Sequence, residues 1–272
     1  MDMPQSLFIE YFIVIFSGLV LGSFSTAIVY RIPRNIPWAF AENKKDKSEG
    51  YVSAYRSACT KCKMSLRFLD LIPVFSWIFM RGKCRYCRSD IGIRYIGIEL
   101  GVLFVCLLTY TLVGFSYELF FLIASVPFLV ALLVIDLEHM ILPNELVLIV
   151  GAIGFLRFLP NFQGMDIITS YIIAALSYAF FSWLLGKAMT KVLKKEALGF
   201  GDVKFFAVAG LWLGLPALPW FCILSGMFGV LFAGLWHLIV KNKVFPFGPA
   251  LIIALYTLLL FDGSLLLQNL LP

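Results

Sequence analysis

Charge is scarce in this chain. Asp, Glu, Lys and Arg make up only 14% of its 272 residues, 61% are hydrophobic, and the mean hydropathy is +0.93. A soluble domain has no way to hide that much apolar surface, so the composition excludes a water-soluble globular protein and places the chain in a bilayer. Also missing is a glycine-rich turn after a strand, and with it any dinucleotide-type cofactor fingerprint. No internal repeat is evident, which counts against a transporter built from duplicated halves. The net charge of +6 does not point to nucleic acid, because the basic residues flank apolar runs, where they set topology.

What is present is a series of apolar runs. The first covers residues 7–30, enough to cross a core of roughly 30 Å. Positive charge (Arg31, Arg34) follows this run, which is too long for a signal-peptide core, so it is expected to be a retained span. Seven more runs follow at 95–114, 117–135, 144–160, 166–187, 200–214, 216–239 and 246–268, broken by polar or Gly- and Pro-containing stretches. The expected fold is therefore an all-α polytopic membrane protein of about eight transmembrane helices. Between spans one and two lies a polar stretch, 31–94, with a flexible insertion expected around 38–58. Its short apolar piece Leu71–Phe79 is either the core of a small domain or an interfacial segment. The domain boundaries expected are 1–30 for the first span, 31–94 for the loop domain and 95–272 for a seven-span domain.

Lys and Arg are nearly absent from every second loop. Twenty of the 22 lie in the first, fifth and seventh loops, the exceptions being Lys204 and Arg157. The positive-inside rule then puts odd loops in the cytoplasm and both termini on the far side. Two acidic residues fall at the cytoplasmic ends of apolar runs. Asp136 ends the third span and Asp202 begins the sixth, within Gly199-Phe200-Gly201-Asp202-Val203-Lys204. Acids at membrane depth are costly and point to function. Two carboxylates a few ångströms apart share one proton, leaving an acid and a base, which is the chemistry of an aspartic protease. Gly199 and Gly201 would let an extended peptide approach Asp202. Two plainer readings stand beside this one. One Asp could cap a helix while the other pairs with Lys204 or His139. Both could instead serve a proton-coupled transporter.

Four of the six cysteines form two C-x-x-C pairs, Cys59/Cys62 and Cys84/Cys87, with 21 residues between them. This is close to zinc-ribbon spacing, and four thiolates make a closed tetrahedral site suited to structural zinc. A redox pair or free thiols are the alternatives. Disulfides are unexpected in a reducing cytoplasmic loop.

The ordered set of motifs resembles the type IV prepilin peptidases, bacterial inner-membrane aspartic proteases of the GxGD class. The resemblance runs through Gly22-Ser23-Phe24, Tyr30-Arg31-Ile32-Pro33, both cysteine pairs, Ile72-Pro73-Val74-Phe75-Ser76-Trp77 and Arg81-Gly82-Lys83. It continues through Arg94-Tyr95 to Glu99, Asp136 to Pro143, Gly199 to Lys204 and Pro246-Phe247-Gly248-Pro249. It implies cleavage of a short basic leader from prepilins or pseudopilins, whose N-terminal helix is hydrophobic, at the cytoplasmic face of the inner membrane. Asp136 and Asp202 would be the catalytic pair. It also implies methylation of the new N-terminus with S-adenosylmethionine, with Gly82 and Lys83 as residues tied to that activity, although a plain turn at Gly82-Lys83 is the alternative. Ser25-Thr26 and Thr60 depart from the usual Leu-Asn and Pro.

Overall fold

The computed structural model describes residues 5–38, 57–158, 165–194, 198–240 and 245–262. Most of the expected flexible insertion, Lys195 of the fifth loop, the seventh loop and the end of the last span lie outside the described residues. The chain divides into two compact units, Met1–Tyr110 and Thr111–Pro272.

The N-terminal unit is built on helix α1 (Gln5–Arg31) and most of α3 (Arg94–Val113), with a cysteine-bearing segment and the short helix α2 (Phe75–Phe79) between them in sequence. Glycine sets the approach of α1 to α3. A Cβ on Gly22 would lie 2.9 Å from the Glu99 Cα, and one on Gly18 would lie 3.0 Å from the Leu103 side chain. With no hydrophobic drive between helices in lipid, such close backbone contact is a main source of association. The Tyr110 hydroxyl donates to Glu10 at 2.7 Å, which satisfies a carboxylate within an apolar helix.

The C-terminal unit holds α4 (Tyr117–His139), α5 (Asn144–Leu156), α6 (Met165–Leu193), α7 (Phe200–Leu213), α8 (Leu218–Val240) and α9 (Gly248–Asp262). Helix α7 is central, packed by α5, α6 and α9, and it buries Phe205, Phe206, Ala209 and Trp212. Trp212 is held at both ends of its contact. Its indole N–H donates to the Val150 carbonyl at 3.0 Å, and Arg157 donates to the Trp212 carbonyl at 2.6 Å. This gives Arg157, an exception to the charge pattern, a role in tying α5 to the end of α7.

Among the described residues, eight helices correspond to the eight expected spans, and five of them are long and apolar enough to cross a membrane, namely α1, α3, α4, α6 and α8. Among the described residues, helices α5, α7 and α9 have 13, 14 and 15 residues. At 1.5 Å per residue they reach only about 20–22 Å, short of a core of about 30 Å. The apolar run expected at 200–214 has nearly the length of α7 itself, whereas α5 ends at Leu156, before the run expected to reach 160.

Candidate active site

The short helices all begin near the same place. Asp136 lies in the last turn of α4, is 5% exposed, and accepts a hydrogen bond at 2.9 Å from the Gly248 N–H at the start of α9. Leu142, in the α4–α5 connection, lies beside both Gly248 and Gly201, as the space around each glycine shows. Lys204 donates to the Asn144 side chain at 2.7 Å, joining the starts of α7 and α5. Leu142 thus stands between the Gly248 start of α9, which holds Asp136, and the α7 turn that carries Asp202. Helix N-termini carry partial positive charge and free N–H groups, so their convergence is a natural setting for two carboxylates at membrane depth.

Asp202 occupies the third position of α7, and its Oδ2 accepts from the Gly199 N–H at 3.1 Å. Capping therefore does occur, in the reach-back form of a capping box, and it engages one oxygen. The pairing alternatives do not hold among the described residues. Lys204 is committed to Asn144, and His139 faces Glu138 at 3.9 Å. Gly199 and Gly201 flank Phe200 just before the acid, where a Cβ at Gly199 would approach Asp202 Oδ2 to 3.2 Å and one at Gly201 would meet Leu142 at 3.3 Å.

In the N-terminal unit the four cysteines come together, all four Sγ atoms lying within 4.8 Å of one another and Cys59 and Cys87 Sγ 3.9 Å apart. Tetrahedral thiolate coordination at about 2.3 Å requires sulfur separations of about 3.8 Å, so the cluster fits a metal ion. Each pair forms the same tight turn. Lys63 donates its N–H to the Cys59 carbonyl and Arg88 to the Cys84 carbonyl, both at 3.0 Å. Both residues take positive φ, 61° and 58°. The Ser89 hydroxyl, 3.0 Å from Cys87 Sγ, holds that thiol down to about 6, which favours the thiolate that binds metal.

Comparison with known proteins now adds identity. Residues 16–113 match the family described as the bacterial peptidase A24 N-terminal domain, and residues 122–234 match the type IV leader peptidase family. A prepilin leader peptidase/N-methyltransferase of Aeromonas salmonicida is 32% identical, covering 94% of this chain and 92% of the relative. The chain belongs to the type IV leader peptidase family. Similar relatives include the type 4 prepilin-like proteins leader peptide-processing enzyme of Escherichia coli O78:H11, 32% identical over 86% of this chain and 87% of its own length. The prepilin leader peptidase/N-methyltransferase of Neisseria gonorrhoeae is 32% identical over 87% of this chain and 85% of its own length. No solved structure matches.

Within this leader peptidase, the remaining motif residues take specific places. Gly82 is buried with φ +68°, and a Cβ there would meet the Trp77 ring at 2.8 Å. Lys83 is exposed, and its backbone donates to the Met80 carbonyl. Gly248 belongs to the Pro246–Pro249 motif, but nothing in its spacing announces a contact with Asp136. The one available hint was a glycine between two prolines, a place where the backbone has reason to come close to another group.

Proposed function

We propose that this membrane enzyme hydrolyses the leader of type IV prepilins or pseudopilins using Asp136 and Asp202. The observation that carries the reading is the buried Asp136 held by the Gly248 amide beside the α7 turn that bears Asp202. One carboxylate, as base, takes a proton from water as the oxygen attacks the scissile carbonyl. The other, as acid, protonates the carbonyl oxygen. Collapse breaks the C–N bond and a proton passes to the leaving amine. Gly199 and Gly201 leave room for the substrate backbone. The substrate is a basic leader followed by an apolar helix, the first read by the cytoplasmic face and the second by lipid. The enzyme sits in the bacterial inner membrane, with both termini periplasmic and the site facing the cytoplasm.

We further read residues 31–94 as a cytoplasmic zinc-stapled domain and 95–272 as the peptidase domain. Cys59, Cys62, Cys84 and Cys87 would hold one Zn²⁺, which supplies a structural crosslink with no position open for water. Purified enzyme should contain one zinc per chain, and replacing all four cysteines by Ser should remove it. Metal content unchanged by the replacement would refute the site. Because the ion staples a loop, its removal should loosen proteolytic protection of that loop before it alters cleavage chemistry.

The names of the relatives support a second step, N-methylation of the new terminus with S-adenosylmethionine. Co-expression with a prepilin followed by intact-mass analysis tests both steps, as a loss equal to the leader and a gain of one methyl. A prepilin that keeps its full mass refutes cleavage, and a cut but unmethylated product with donor in excess makes the chain a peptidase only. The amine exists only after the cut, so a pre-cut peptide should be methylated by Asp202→Asn when the donor is supplied. No observation favours the transport alternative.

A further inference from the structure

The N-terminal unit contains a cavity of about 330 Å³ that the cleavage chemistry does not use. Its walls include Tyr30 of α1, Trp77 of α2, the backbone of Gly92, and Tyr95 and Glu99 of α3. Its size falls within the range of roughly 300–1,000 Å³ seen for small-molecule sites. At Gly92 nothing lies within 4 Å of where a Cβ would be, so the wall there is open backbone.

Two features of these walls are built rather than incidental. Trp77 is locked, because its indole N–H donates to the Ile91 carbonyl at 3.0 Å and its ring rests on the bare backbone of Gly82. Glu99 holds a strained turn. Its Oε2 accepts the Val74 N–H at 2.7 Å, and Val74 sits at φ +60°, ψ −51° inside a γ-turn closed from Phe75 N–H to the Pro73 carbonyl. A β-branched residue with positive φ is an outlier, and such strain gathers at ligand-binding sites. Asp70, another acid of the wall, is paired with Arg85 at 2.8 Å. Glu99 has no cationic partner among the described residues. A locked indole face and a half-buried carboxylate with no ion pair among the described residues, in walls that also carry Arg31 and Lys63, are groups that can recognise an organic cation.

We propose, resting on the methyl-transfer reading above, that this cavity binds S-adenosylmethionine and that Trp77 and Glu99 recognise its sulfonium charge. Gly82 is then a positioning residue. Neither it nor Lys83 lines the cavity, but any side chain at Gly82 would push the indole out of place. The tie between Gly82 and methylation that the family resemblance implies would then act through Trp77. The ammonium of a cut pilin is also a cation, and a probe containing donor alone separates the two.

The test uses the full-length enzyme in nanodiscs. Methyl-labelled S-adenosylmethionine is measured by equilibrium dialysis without peptide, and ultraviolet photolabelling is mapped by mass spectrometry with and without a cut peptide. Label is expected on peptides bearing Trp77, Tyr95 or Glu99. Glu99→Gln keeps the size and an acceptor for Val74, so it tests the charge without emptying the site, and Trp77→Phe tests the indole. Each is expected to weaken donor binding by about 2- to 30-fold, as losing an interaction of about 0.5–2 kcal/mol would. Gly82→Ala should weaken binding while Lys83→Ala should not. Label mapping outside the N-terminal unit, or unchanged affinity in both wall variants, overturns the inference and leaves methylation standing. Wild-type enzyme that neither takes label nor methylates a cut peptide overturns the methylation reading and this inference together.

Discussion

Asp136→Asn and Asp202→Asn are each expected to slow leader cleavage by about 10³-fold or more, since each removes one side of an acid–base pair whose members contribute about 10²–10⁴-fold apiece. The substitutions are close to isosteric, and the structure shows why they should fold. In Asp136→Asn the amide oxygen can still accept the Gly248 N–H, and in Asp202→Asn the Gly199 N–H keeps an acceptor at the first turn of α7. What each variant loses is the ability to exchange a proton and the charge that assists those bonds, at a stability cost of about 1 kcal/mol. The measurement is a time course of intact mass for a purified prepilin reconstituted with each variant, alongside thermal unfolding. Near wild-type cutting by either variant would remove that carboxylate from the chemistry. The double variant should be little worse than either single one, because residues that act as a unit are strongly non-additive.

The helices and the two acids were legible in the sequence for different reasons. Apolar runs mark helices because lipid satisfies no backbone polar group. The parity of Lys and Arg across loops put Asp136 and Asp202 on one side before any contact was known. The cysteine cluster was legible because two C-x-x-C turns fix four sulfurs locally, leaving only one long-range contact to form. Less legible was anything set by the meeting of distant backbones. Gly248 donates to Asp136 across 112 positions in the chain, and no local period encodes that distance. The early end of α5 was hidden for a related reason. Residues beyond a helix end can remain apolar in a membrane protein, so hydropathy does not register where hydrogen bonding stops. Trp77 and Glu99 stood inside motifs from the outset, but a motif does not say which side chains share a wall.

Gly248→Ala is the sharpest probe of the site that the sequence alone did not suggest. The Gly248 N–H donates to Asp136 Oδ2 at 2.9 Å, and a Cβ on the same residue would lie 2.6 Å from that oxygen, 2.9 Å from Cγ and 3.0 Å from Leu142 Cδ2. Real Cβ atoms do not approach oxygen so closely, so the carboxylate or the start of α9 must shift. The backbone itself gives no objection. Gly248 is not among the glycines with positive φ, and Ala is the better helix former. Folding is therefore expected to lose only the roughly 1–3 kcal/mol typical of an overpacked buried contact while the acid is misplaced, and a displacement on the order of 1 Å at a reacting group costs about 10²-fold in rate. Neighbouring glycines give the comparison. A Cβ at Gly201 would meet Leu142 at 3.3 Å and one at Gly199 would meet Asp202 at 3.2 Å, both tight contacts that a small adjustment relieves. Cleavage by Gly248→Ala should thus fall well below that of Gly199→Ala or Gly201→Ala, unless the glycines of α7 serve mainly to admit substrate, in which case their loss appears in KM rather than in kcat. Wild-type kcat in Gly248→Ala would mean that Asp136 does not need its place beside the Gly248 amide, and the assignment of that carboxylate to the reaction would fall with it.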